Sequence, residues 1–301
     1  MSTVHTAADF MRRELVTLQP DTPVNEGARG LLQHRITGMP VVDGEQRYLG
    51  MFSEKCCFRA LSPAAEEAHG RGTPVPSATG FMAKQLLVLR PETDVFEAID
   101  QILDRKVSGA PVLDEHERFL GIFSEKTAMR VLITSAYESV PGGTVGSYMN
   151  PDQERVIGEG TTLLEATEKF KNTSYRRLPV LDGTTLLGQV SRRDVLRAQA
   201  QLTQGSRGGA GADAAVRHMD RDARTIAPGD DLLTIAQIFE TTPYRRLPVL
   251  ANGKLVGQVS RRDLLRKAAT LLRPEPVQHQ AEWLYLSPLL DSVPPEVSRG
   301  R

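Results

Sequence analysis

"YRRLPVLDGTTLLGQVSRRDVLR" spans Tyr175–Arg197 and "YRRLPVLANGKLVGQVSRRDLLR" spans Tyr244–Arg266, so 17 of 23 positions recur at an offset of 69 residues. Each stretch reads as two short strands joined by a polar turn, with a helix opening at the serine that ends the second strand. Two weaker copies lie upstream: "ITGMPVVDGEQRYLGMFSEKCCFR" from Ile36 and "VSGAPVLDEHERFLGIFSEKTAMR" from Val107. Their anchor prolines, Pro40, Pro111, Pro179 and Pro248, are 71, 68 and 69 residues apart. That period exceeds the roughly 20–50 residues of solenoid repeats, so each copy is expected to be a small folded unit.

Working outward, the copies begin alike. A short lead containing Phe10-Met11, Phe81-Met82 or Tyr148-Met149 runs into an apolar strand such as "LVTL" or "LLVL". A helix follows, marked in the third copy by Leu163, Leu164, Ala166 and Phe170 behind the capping-box pair Thr162 and Glu165. The order β-α-β-β-α predicts an α/β (α+β) chain of four units over residues 5–65, 78–140, 144–203 and 215–273, with a tail over 274–301. A unit of about 60 residues buries too little surface to stand comfortably alone, so pairing of copies is expected. The Gly- and Pro-rich stretches Ser62–Gly80 and Gln204–Ala215 read as linkers.

The bulk composition excludes several classes. The formal net charge of the 301 residues is zero, so the chain is not built to coat nucleic acid or an anionic membrane. No apolar run reaches the 18 or so residues of a membrane span, and the first residues lack a signal-peptide core, which predicts a cytoplasmic protein. Cys56 and Cys57 are adjacent and suit neither a disulfide framework nor a metal pair; they read as reduced thiols, one buried and one incidental. The six histidines are scattered, and no hydrolase elbow, Walker A loop or metalloprotease spacing is present, so no catalytic activity, metal or required cofactor is expected.

The fourfold pattern of an apolar residue, Pro, Val, a turn and Gly-x-apolar-Ser resembles the CBS domain family over about residues 5–273. The arrangement of four copies is similar to the gamma subunit of AMP-activated protein kinase. The resemblance implies two Bateman modules, copies 1 with 2 and 3 with 4, packed as a disc either within one chain or through a dimer.

The residues of copies 3 and 4 carry a chemical argument of their own. Ser191 and Ser260 open helices with Asp194 and Asp263 three residues on, which alone is close to an ordinary N-cap with an acidic first turn. Arg176, Arg177 and Arg193, and their counterparts Arg245, Arg246 and Arg262, are less ordinary. Cations at a helix N-terminus oppose its dipole, and a bound polyanion resolves that conflict, because guanidinium groups grip phosphate bidentately. The resemblance implies a regulatory adenine-nucleotide site in the module of copies 3 and 4. Asp194 and Asp263 would hold ribose, with Ser191 and Ser260 beside them, and the six arginines would hold phosphate. Thr225 would lie near the sugar, and Leu178, Val180, Leu247 and Val249 would form adenine walls. The arginines favour AMP, ADP or ATP over S-adenosylmethionine. Copies 1 and 2 have Cys56 and Thr127 where the aspartate should stand, and Glu54 and Glu125 beside the serines, which predicts no nucleotide there in the family manner.

The expected partners are an adenine nucleotide and either a second copy of the chain or a protein effector. A ligand-free scaffold is the alternative, its docking element the tail residues Trp283, Tyr285, Leu286, Leu289 and Leu290. Nucleic acid is disfavoured by the neutral charge and 5% aromatic content.

Overall fold

The computed structural model describes residues 5–138, 143–203 and 213–272; the tail cluster around Trp283 lies outside them. Each copy contains the expected antiparallel hairpin: Gly38–Val42 with Tyr48–Ser53, Gly109–Leu113 with Phe119–Ser124, Arg177–Asp182 with Thr185–Ser191, and Arg246–Ala251 with Lys254–Ser260. The strand expected ahead of each first helix is shorter than the sequence suggests. Ile157–Gly158 forms one, parallel to Val180 and Leu181, whereas in the other copies single residues, Leu18, Leu89 and Ile226, bridge to Val41, Val112 and Val249. The helices Val24–Gln33, Val95–Asp104, Leu163–Asn172 and Leu232–Thr241 supply the crossover that parallel pairing requires. In the third copy the capping box forms as read: the Glu165 carboxylate accepts from Thr162 N–H, and Thr162 Oγ1 accepts from Glu165 N–H.

Anchor proline and closing serine are 13 residues apart in copies 1 and 2 but 12 in copies 3 and 4, and the turns account for the difference. In copies 1 and 2 the Asp43 and Asp114 carboxylates gather the turn N–H groups, while Gln46 and Glu117 take φ of 64° and 60°. Copies 3 and 4 turn tightly through Gly183, and through Asn252 and Gly253, all at positive φ, which matches the twist of a short hairpin. The closing helices are Glu54–Gly70, Glu125–Glu138, Arg192–Thr203 and Arg261–Leu272. The first continues through Pro63 and takes in much of the expected Ser62–Gly80 linker. Ala64, Ala65 and Ala68 are buried along it, and burial of that face outweighs the lost hydrogen bond of Pro63.

The pairing of copies differs from the one implied by resemblance. Copy 1 joins copy 4 through their hairpins, by the bridges Arg47↔Lys254 and Arg12↔Gln258, and copy 2 joins copy 3 by Arg118↔Thr185 and Ala83↔Gln189. The lead of each copy therefore docks on its hairpin partner rather than on its own sheet. Helices pair the copies in the other direction. One buried cluster unites copies 1 and 3, with Phe58 and Phe170 stacked at 6.2 Å between centroids. A second unites copies 2 and 4 around Ile99, Met129, Phe239 and Leu265. The four copies thus close a ring in the order 1–4–2–3 within a single chain, and copies 3 and 4 sit diagonally across it. The linkage follows from patterning: each hairpin has one face for helices and one for the partner hairpin, so every copy needs two different neighbours.

Candidate functional site

The diagonal arrangement brings the arginines of copies 3 and 4 together at the centre of the ring. Arg176 donates from Nη2 to the Pro243 carbonyl at 3.3 Å, directly linking the segments that precede the two anchor prolines. Arg177 donates to Gln189 Oε1 and to Ser108 Oγ, so it spans copies 3 and 2. Arg246 reaches Thr37 Oγ1 and spans copies 4 and 1. Arg193 and Arg262 donate to the carbonyls of Arg35 and Val107, beyond the ends of the first helices of copies 1 and 2.

The first arginine of each SRRD run, Arg192 and Arg261, has a structural role that sequence reading missed. Arg192 donates to the carbonyls of Phe170 and Thr173, and Arg261 to those of Phe239 and Thr242, each lying over the phenylalanine ring. They tie off the carbonyl ends of the preceding helices, where a cation is favoured. The signal was available: a cation that opposes one helix dipole can serve the opposite pole of a neighbour.

The arginines outnumber the carboxylates around them. Burial pushes Arg177, Arg192, Arg246 and Arg261 down to about 10, and Arg176 is lowered well below its usual value by burial and by repulsion from Arg192, Arg245 and Arg261. A guanidinium keeps its proton in a protein, so the depression reflects crowded, poorly hydrated positive charge. Arg245 is the exception. Its guanidinium grips Glu125 with both Nε (2.9 Å) and Nη2 (3.0 Å), and this pairing overcomes burial and raises it. Arg262 joins the same carboxylate at 3.2 Å. Glu54, the counterpart of Glu125, forms no ion pair within 4.0 Å among the described residues, and burial pushes its carboxyl up.

Asp194 and Asp263 are placed alike. One oxygen of each accepts the N–H and hydroxyl of its own serine, Ser191 or Ser260, which is the N-cap arrangement. Arg177 lies in the field of Asp194, and Arg246 in that of Asp263. Thr225 is half-buried just before the bridging residue Ile226. The expected adenine walls are corrected: Leu178, Val180, Leu247 and Val249 are fully buried in the helix-facing cores. Strand alternation turns them away from the face that carries Arg177 and Arg246.

Two cavities lie where sequence reading expected no site. One, of about 850 Å³, opens in the cleft of copy 2 among Ser124, Thr127, Lys126 and Arg130, and it receives Arg176, Arg177 and Arg245 from copies 3 and 4. Its outer wall is the copy 3 lead, where the Asp152 carboxylate accepts from Tyr175 Oη at 2.5 Å and Arg155 lies 5.1 Å over the Tyr175 ring. The other, of about 390 Å³, occupies the cleft of copy 1 beside Glu54 and Cys56 and receives Arg176, Arg245 and Arg246. Glu125 does not leave copy 2 repulsive to phosphate, because Arg245 and Arg262 neutralise it. Both cysteines are buried, against the expectation of one, and burial raises both thiols. No cluster of metal-ligating side chains occurs among the described residues, and no described helix is long and apolar enough to cross a membrane.

Comparison with known proteins places this architecture. The CBS domain profile matches residues 7–63, 78–134, 145–201 and 214–270, and the chain belongs to the CBS domain family. An uncharacterized protein of Methanocaldococcus jannaschii, MJ1225, is 22% identical over 284 residues, which are 84% of this chain and 95% of that protein. Its crystal structure, described as that of a candidate archaeal homologue of g-AMPK, has a TM-score of 0.40 over 87% of this chain and 99% of that one. The chloroplastic CBS domain-containing protein CBSX1 of Arabidopsis thaliana is 29% identical over 150 residues, 40% of this chain and 63% of that protein. CBSX2 solved in complex with AMP is 29% identical, with a TM-score of 0.39 over 43% of this chain and 99% of that one.

Proposed function

We propose that this chain is a regulatory protein that binds adenine nucleotides at Asp194 and Asp263 and signals through a change in the packing of the ring. The observation that carries the reading is the surplus of crowded arginine charge, with Arg177 in the field of Asp194 and Arg246 in that of Asp263, which an incoming polyphosphate would neutralise. Ribose hydroxyls would bond the outer carboxylate oxygens, leaving the phosphates to run inward toward Arg177 or Arg246 and then Arg176 and Arg245. The CBSX2–AMP complex names AMP as the first ligand to test. The same central arginines line the clefts of copies 1 and 2, so a nucleotide at copy 3 or 4 would alter the charge seen by those cavities as well. Such coupling needs a ligand that binds two arrangements of the ring differently, which a centre shared by all four copies permits.

Thermal unfolding with AMP, ADP, ATP or S-adenosylmethionine tests the reading against an Asp194→Ala/Asp263→Ala double variant. Ligand at 100 times Kd adds about 2.7 kcal/mol of stability. A stabilisation by phosphorylated nucleotides that the double variant loses is expected. Equal stabilisation of both proteins, or none of either, would refute the assignment.

A further inference from the structure

The two aspartate sites are nearly identical in their own sequence, yet the ring makes them different by what their hairpin partners contribute. The residue after the lead methionine bridges to the middle of the partner's second strand in every copy: Arg12 to Gln258, Ala83 to Gln189, Asn150 to Ile122 and Asp220 to Met51. Copy 4 thereby receives an arginine where copy 3 receives an alanine. Both leads are held alike by paired backbone hydrogen bonds of 2.9 Å, so the difference lies in the side chain.

Its consequence falls on the carboxylate. In copy 4 Asp263 Oδ2 is held by Ser260, and Oδ1 accepts from Arg12 Nε at 3.1 Å, so both oxygens are committed. In copy 3 Asp194 Oδ2 is held by Ser191 in the same way, while among the described residues Oδ1 has only Arg197 at 3.7 Å, beyond hydrogen-bond length. The Arg12 side chain is 60% exposed and Asp263 is 10% exposed, so the pair closes over the carboxylate from the solvent side.

We propose that Arg12 is a specificity-determining residue that closes the copy 4 site on itself. The copy 3 site then takes a diol-bearing nucleotide first, and copy 4 is filled only when the ligand displaces Arg12 from Asp263. The inference rests on the nucleotide reading above. It also places a sensor in the copy 1 lead: displacing Arg12 removes one of the ties between that lead and copy 4.

The test is calorimetric titration of the full chain with AMP. The wild type is expected to show two classes of site, with Asp194→Ala removing the tighter class and Asp263→Ala the weaker. Arg12→Ala should tighten the weaker class about fivefold, the equilibrium weight of an exposed ion pair, and bring the two classes together. Ala83→Arg should weaken the tighter class by a similar factor; both substitutions are at lead positions whose backbone pairing is unaltered, so folding is retained. A single class in the wild type, or an Arg12→Ala protein whose two affinities are unchanged or lower, would overturn the proposal while leaving nucleotide binding intact. No AMP binding in any of these proteins would instead remove the nucleotide reading itself, and the role of Arg12 with it.

Discussion

Substituting Glu125 by Gln should cost far more than the same change at Glu54, although the two residues occupy equivalent positions in copies 2 and 1. Glu125 is 3% exposed and carries Arg245 and Arg262, themselves 17% and 21% exposed. Removing its charge strands two guanidinium groups in a centre already crowded with cations. Breaking a buried pair by deleting one partner costs about 3–5 kcal/mol. Retained amide hydrogen bonds and the open cavity beside Arg245 place Glu125→Gln near the lower bound, at about 3 kcal/mol. Glu54 has no ion pair within 4.0 Å among the described residues and feels its arginines only at longer range, so Glu54→Gln should change stability by less than about 1 kcal/mol.

The pH dependences should also oppose each other. Burial raises Glu125, but Arg245 and Arg262 outweigh it and hold its folded value below the usual glutamate range. Its contribution is therefore fully present above the unfolded value of about 4.3 and is lost as pH falls through the folded one. Glu54 is raised by burial, so it weakens the fold as pH rises from its unfolded value through its folded one. Urea unfolding between pH 3.5 and 7.5 reads both effects. Equal losses at the two positions, or a Glu125→Gln deficit that persists unchanged at the acid end, would refute the electrostatic account of the ring centre.

Other consequences can be checked more simply. A Cβ at Gly121 would lie 2.6 Å from the Asn150 carbonyl oxygen, so Gly121→Ala should destabilise the copy 2–copy 3 junction by about 1–3 kcal/mol in thermal unfolding. Phe239→Ala, which removes a fully buried ring from the shared core of copies 2 and 4, should cost about 3–5 kcal/mol by the same assay. Cys56 and Cys57 should fail to react with a thiol reagent in the native protein and release two equivalents on unfolding, since burial both shields and raises them.

The four units were legible because the repeated proline, serine and glycine positions punctuate each hairpin, and local spacing is a property the chain carries residue by residue. The capping box and the contrast between the two kinds of turn were legible for the same reason. The pairing of copies was not, because any two of four homologous hairpins offer nearly the same apolar face. What selects the partner is where each lead reaches, and a lead such as Phe10–Arg13 shows only its own residues, not the strand it will meet. The position of Arg12 was hidden by the same exchange, since its side chain reaches a copy other than the one it precedes. Leu178 and Val249 were misassigned because strand alternation puts them on the face opposite Arg177 and Arg246, inside the helix-facing cores.

The ring order makes a prediction that adjacent pairing does not. In a fragment of residues 1–140, copies 1 and 2 are diagonal neighbours, so both would expose the helix faces meant for copies 3 and 4 as well as their hairpin faces. Leu31, Phe58, Ile99 and Met129, all fully or almost fully buried in the whole chain, would face water. Uncovering such side chains costs about 1.5–3 kcal/mol each, and the four together are comparable to the roughly 5–15 kcal/mol that holds an ordinary domain folded. The fragment should therefore be unfolded or assemble with concentration, and mixing it with residues 141–301 should restore a cooperative transition. Two modules of adjacent copies would instead give a fragment that unfolds cooperatively as a monomer. Sedimentation and urea unfolding of the fragment decide between them: a stable monomer would overturn the 1–4–2–3 order, and with it the convergence of Arg176 and Arg245 at a common centre.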